Sequence, residues 1–211
     1  MEVNKKKTKV MVFNPCKAWD FMPELSLNNQ ELEMMEEMRL LGVIVKSDMK
    51  WSSNTEHMLV KAYKRLWSLR RLKGMGATVE DLKDVYLKQV RSVLELAVPA
   101  WNGALTQADA KDIERVQKTA LHIMLGGKYI DYRSALDTVG LESLVARREK
   151  LSLKFAKKAV KHPKHTKWFV PNTNTVNTRQ EKEKFCPVYA KHKRFLTSPI
   201  SYLTKLLNDG K

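Results

Sequence analysis

The hydrophobic period of this chain changes once, near residue 50. Before that point apolar positions recur at every second residue in short runs. Residues 7–13 place Val10 and Val12 on one phase and Met11 and Phe13 on the other, and their β-branched content predicts a strand that Asn14-Pro15 ends. Residues 24–34 predict a hairpin. Leu25 and Leu27 alternate, Asn28-Asn29 turn, and Leu32 and Met34 return; Asn tolerates the positive φ that tight hairpin turns need. Met38 to Val45 predicts one further strand, with a glycine inside it and Ser47-Asp48 after it.

From Ser53 the period is helical. Ser53 or Asn54 is the expected cap, with Glu56 in the first turn, where a carboxylate suits the helix dipole. Leu59, Ala62, Leu66 and Leu69 form one apolar stripe, and Gly74 and Gly76 close the helix. Thr78 caps a second helix with Asp81 three residues on, in a capping-box position. That helix carries Leu82, Val85, Tyr86, Val90, Val93 and Leu94, and Pro99 is expected to end or kink it. A third helix is predicted over about 107–125 with Ile113, Val116, Ala120 and Met124 inward, stopped by Gly126-Gly127. A short helix follows over about 132–138. A long one runs over about 141–160 with Leu144, Leu151 and Phe155 facing in. Residues 171–178 read as linker, and 202–207 as a short helix. The predicted class is α+β, mostly α. A small antiparallel β unit (1–48) precedes a helical bundle (49–161) and a basic, partly irregular tail (162–211).

Composition adds a partner class. The 211 residues carry 39 Lys/Arg against 23 Asp/Glu, a formal net charge of +16. An excess of that size points to an acidic partner, nucleic acid first. The alternative is a solvated basic tail, since residues 151–211 hold 14 of those cations against 3 acids. No run approaches the ~20 apolar residues of a membrane span, and the segment after Lys5-Lys6-Lys7 is too short and polar for a signal peptide. Cys16 and Cys186 do not make a disulfide scaffold. These features predict an intracellular protein, cytoplasmic or nuclear, with no membrane partner.

The cations form two candidate faces. Lys61, Lys64, Arg65, Arg70, Arg71 and Lys73 crowd the first helix against Glu56 alone, with Tyr63 and Trp67 available to stack on bases or to be buried. Arg147, Arg148 and Lys150 continue into Lys154, Lys157, Lys158 and Lys161 on the last long helix, as a phosphate ladder or as surface charge partnered by Glu142 and Glu149. His162, His165, Cys186 and His192 are four N/S groups that zinc could take, but their spacing is irregular, and solvated or satisfied histidines are the default. No Gly-rich phosphate loop and no nucleophile–base motif occurs in the sequence.

Several segments, in order, resemble the reverse transcriptases of non-LTR retrotransposons of the jockey or CR1 type, over roughly residues 1–160. Asn4-x-x-Lys7-Thr8 with Met11 and Phe13 is similar to palm motif D. Leu41-Gly42-Val43, with Trp51 and His57 downstream, is similar to the primer-grip motif E. Lys61-Ala62, Leu69-Arg70-Arg71, Tyr86, Trp101, Glu114-x-x-Gln117 and Arg147-Arg148 fall where the family's thumb helices carry similar residues. The resemblance implies a palm end, a thumb, and binding to RNA, DNA or an RNA–DNA hybrid without sequence preference.

It also implies that Lys7 corresponds to a lysine near the leaving pyrophosphate; the alternative is a solvated edge-strand lysine. Leu40 stands where the family has an aromatic. The family's Mg²⁺ is held by clustered carboxylates, including an aromatic-x-Asp-Asp turn. The sequence contains no Asp-Asp pair. The expectation is therefore a polymerase fragment that binds no cofactor of its own, is not an enzyme alone, and lacks an N-terminal polymerase part. The alternatives are a basic helical adaptor for other proteins, or a retroelement relic without function.

Overall fold

Hydrogen-bonded turns, more than long strands, organise the N-terminal part of the chain. The computed structural model describes residues 8–13, 25–27, 30–173, 184–189, 191 and 193–209. Its contacts separate two units, Met1–His57 and Met58–Lys211.

Among its described residues the first unit holds three two-stranded ladders. Strand β1 (Lys9–Val10) pairs parallel with β4 (Glu33–Met34), and the Lys9 ammonium meets Glu33 at 3.0 Å. Strands β2 (Ser26–Leu27) and β3 (Gln30–Glu31) pair antiparallel, as the alternation predicted. The parallel β1–β4 pair corrects the wholly antiparallel expectation: which strands pair is set by chain return, which no local period records.

A second correction concerns residues 38–45. They form not one strand but a hairpin of β5 (Glu37–Leu40) and β6 (Val43–Lys46), with Leu40 opposite Val43. Leu41 and Gly42 turn between them with φ of 49° and 91°. Positive φ at both central positions matches the twist of a two-residue hairpin turn. Glycine takes this backbone freely, whereas Leu41 takes it at a cost and points into solvent, 92% exposed.

Asn54 does not cap the next helix either. It is buried, and its side-chain oxygen accepts from the Ile44 amide at 3.1 Å, fastening β6. The helix starts at Ser52, ahead of both expected caps, and Glu56 lies beyond its first turn.

That helix, α1 (Ser52–Gly74), turns Met58, Ala62, Leu66 and Leu69 inward. Burying each of the two leucines is worth about 1.5–3 kcal/mol. It closes with paired bonds, Gly76 N–H to Lys73 O and Ala77 N–H to Leu72 O, both 3.1 Å. That six-to-one and five-to-two pattern needs the left-handed φ of 86° that Gly76 supplies.

The next segment runs as α2 (Val79–Val85), a π-helical stretch over Tyr86–Arg91, and α3 (Ser92–Leu94). Thr78 and Asp81 form the predicted capping box. Pro99 starts a helix where it was expected to end one: after Ala97, at φ 53°, the chain restarts as α4 (Val98–Trp101) with Pro in its first turn. Helix α5 (Gln107–Leu125) has a second capping box, Thr106 with Asp109. Helix α6 (Tyr132–Val139) is capped by Asp131. Helix α7 (Leu144–Lys161) is capped by Ser143.

Two short helices follow, α8 (Lys193–Leu196) and α9 (Pro199–Asp209). The segment read as a tail is partly core. Phe169, Leu203 and Leu207 are buried with Ala156 and Ala159 of α7. The observed class is α+β and mostly α, as predicted. No helix of the described residues is long and apolar enough to cross a membrane.

Candidate nucleic-acid interface

The cations on α7 separate by angle. At about 100° per residue, Leu144, Arg148, Ser152, Ala156 and Ala159 form one stripe, and all are buried. Lys150, Lys154, Lys157, Lys158 and Lys161 form the opposite one, and all are exposed. These five lysines and Leu153 line a shallow groove of about 350 Å³. Lys150 is bound to Glu142 at 2.7 Å, which holds the Glu142 carboxyl below its usual range. None of the other four pairs with a carboxylate among the described residues. From Lys150 to Lys161 the stripe runs about 16 Å along the axis at ~1.5 Å per residue.

Arg148 does not belong to it, which corrects its assignment as a nucleic-acid contact, whereas Arg147 falls at the angle of the lysine side but is half-buried against Glu95. Arg148 is 3% exposed, and its Nε donates to the Asn102 side-chain oxygen at 3.0 Å. Burial pulls its guanidinium below the ordinary arginine value. Asn102 in turn donates to the Tyr202 hydroxyl at 2.8 Å, so one arginine ties α7 through Asn102 to α9. Arg147 donates from Nε to Glu95 at 2.8 Å, and Arg91 shares that carboxylate at 3.2 Å. The bond to Glu95 raises the Arg147 value.

On α1 the cations divide in the same way. Arg65 donates to the Gln89 carbonyl, and Lys73 donates to the Met124 carbonyl at 2.9 Å, so both serve the fold. Lys61 is half-buried. Lys64, Arg70 and Arg71 are exposed. Trp67 is 60% exposed and Tyr63 39%, so neither takes the buried alternative. The Arg71 guanidinium lies over the Trp67 ring, 5.4 Å from its centre.

The other residues that carried the resemblance hold the helices together. Tyr86, fully buried, donates to Gln117 Oε1 at 2.6 Å. Gln117 Nε2 donates to the Tyr132 hydroxyl at 3.1 Å and to the Glu142 carbonyl at 2.8 Å. Tyr132 donates to Glu114, whose carboxylate also accepts from the Leu144 and Val145 amides at 2.9 and 3.2 Å. A carboxylate on the first free amides of α7 satisfies donors that have no intrahelical partner and opposes the positive end of the helix dipole. Trp101 is fully buried and donates from Nε1 to the Leu96 carbonyl at 2.7 Å. Reading the sequence missed Tyr132, Asn102 and Tyr202, because their partners lie 15, 46 and 100 residues away.

Lys7 and His192 lie outside the described residues. Leu41 and Gly42 are the turn of the β5–β6 hairpin, and Val43 is the buried first residue of β6. His162 and His165 stack at 4.8 Å, and His165 also packs on Trp168 at 4.2 Å. The Cys186 thiol donates to the Pro171 carbonyl at 3.6 Å. Among the described residues no three His, Cys, Asp or Glu side chains converge as metal ligands.

No protein-family model, curated protein or solved structure matches this chain.

Proposed function

We propose that this chain is a thumb-like nucleic-acid-binding module, similar to the C-terminal part of a non-LTR reverse transcriptase. It holds RNA, DNA or an RNA–DNA hybrid by the phosphates and reads no sequence. The observation that carries the reading is the α7 stripe of five exposed lysines, set half a turn from the buried face of the same helix. Lysines at this spacing neutralise successive phosphates without touching base edges. Polymerisation is assigned to no residue here. Mg²⁺ belongs to the intact family enzyme, and primed RNA with Mg²⁺ should show no extension by this chain.

A salt titration of binding to a primed RNA–DNA hybrid tests the reading. Four or five phosphate contacts give a log–log slope of roughly −4. Reversing Lys154, Lys157, Lys158 and Lys161 to Glu should abolish binding and leave the helical circular dichroism intact. Binding that ignores both salt and these charges refutes the proposal.

One observation favours the adaptor reading instead. An apolar cavity of about 650 Å³ is lined by Phe155, Trp168, Phe195, Ile200 and Leu203. Phe155 was expected inward on α7 but is 39% exposed there. Contacts to a protein through such a surface would be insensitive to salt, so the same titration separates the two readings.

A further inference from the structure

The outer face of α1 combines features that phosphate binding alone does not use. Val60, Lys64, Trp67 and Arg71 recur at intervals of four, three and four residues, and therefore share one side of the helix. Tyr63 lies one turn before Trp67, about 6 Å along the axis. Both rings are solvent-facing, at 39% and 60% exposure. Leaving a tryptophan that exposed gains nothing for the fold, since the buried stripe of α1 already comprises Met58, Ala62, Leu66 and Leu69. Arg71 covers part of the Trp67 ring at 5.4 Å, which orients the indole and places a cation beside it. Lys64 and Arg70 are exposed on the same helix, and Glu56 is the only acidic residue between Ser52 and Gly74.

From this juxtaposition we infer that α1 carries a stacking platform for unpaired bases. Trp67 takes one base on its face, Tyr63 a second, and Lys64 and Arg71 hold the intervening phosphates. The inference rests on the proposed nucleic-acid binding and deepens it. The α7 lysines have no ring among them and bind phosphates of any strand, whereas the α1 face selects single-stranded segments, including the overhang of a primed template. Every base has a π-face, so the platform tolerates any sequence. A second protein copy is the competing occupant of an exposed aromatic helix. The three exposed cations around the rings argue against it, because two copies of this face would bring like charges together.

The test uses the full chain with two probes of equal length and charge. One is a twelve-nucleotide oligo-dT, the other the same backbone with abasic sites throughout. Fluorescence anisotropy at low salt should show the oligo-dT binding roughly 5- to 150-fold tighter for one stacked base. Trp67→Ala should shrink that difference and leave abasic binding unchanged, Trp67→Phe should retain most of it, and Trp67→Ala combined with Tyr63→Ala should remove it. Trp67 faces solvent, so these variants should keep the parent's circular dichroism and melting temperature. Equal affinity of the parent for the two probes overturns the inference. So does a protein with both Trp67→Ala and Tyr63→Ala that still prefers oligo-dT, or a Trp67→Ala protein whose only change is loss of a dimer in sedimentation. If the preference disappears while salt-dependent binding persists, the proposed function stands without the platform. If neither probe binds at low salt, the proposed function falls first.

Discussion

Gln117 is the residue whose replacement should reveal most about how the helices are held. It is fully buried and makes three hydrogen bonds, accepting from Tyr86 and donating to Tyr132 and the Glu142 carbonyl. In Gln117→Leu the Tyr132 hydroxyl keeps Glu114, but the Tyr86 hydroxyl and the Glu142 carbonyl lose their partner. An orphaned buried polar group costs about 1–3 kcal/mol. Tyr86 is the buried one of the two, Glu142 being exposed, so the expected loss is about 1–3 kcal/mol. Tyr86→Phe alone strands only Gln117 Oε1, for about 1–3 kcal/mol. The double variant strands neither partner of the Tyr86–Gln117 bond, so its loss should fall below that of Gln117→Leu. The two changes should couple by about 1–2 kcal/mol, within the range of residues that share a network. Urea denaturation at neutral pH of the parent, both single variants and the double one measures this. Losses that add to within ~0.5 kcal/mol would show the two sites to be independent and refute the network.

Gly103→Ala should destabilise by about 1–3 kcal/mol, because a Cβ there would lie 2.6 Å from Cβ and Cγ of Tyr202 and 2.9 Å from the Thr197 carbonyl, neither of them a flexible side-chain tip. Hydrogen exchange over 199–209 should rise first, and unchanged protection of α9 would contradict the close approach. Burial pushes the Tyr86 and Tyr132 phenols above their ordinary value, with Glu114 adding to the shift at Tyr132. The folded chain then keeps protons that the unfolded chain sheds near pH 10, so stability is full below about pH 10 and falls as pH rises beyond it. Melting temperatures between pH 8 and 11 should show this decline, and Tyr86→Phe should flatten it; an identical alkaline slope in the variant would exclude Tyr86 as a source.

Much of the helical part of this protein is legible in local sequence. Thr78 with Asp81, and Thr106 with Asp109, mark helix starts because a side chain three residues from a free amide closes the bond itself. Gly74, Gly76 and Gly126 mark ends for an equally local reason, the backbone that follows them. Apolar spacing alone also showed which side of α5 faces inward, and that of α1 except that Met58 is buried where Leu59 was expected. The same reasoning misjudged Leu40–Val45, since a short apolar run reads alike as one strand or as two strands around a turn, and only the pairing of Leu40 with Val43 decides. It misjudged Arg148 as well. The stripe Leu144, Arg148, Ser152, Ala156, Ala159 is visible in the sequence and would have placed Arg148 inside, but a buried arginine is tolerable only with partners such as Asn102, which tertiary packing supplies. The sequence by itself determined most of the helices, the Thr78 cap and the excess of positive charge. The tertiary structure decided which cations face water, because hydrogen bonding and burial depend on residues distant in the chain. That is why Arg65, Arg147 and Arg148 are drawn into the fold, while Lys154, Lys157, Lys158 and Lys161 remain open to a partner.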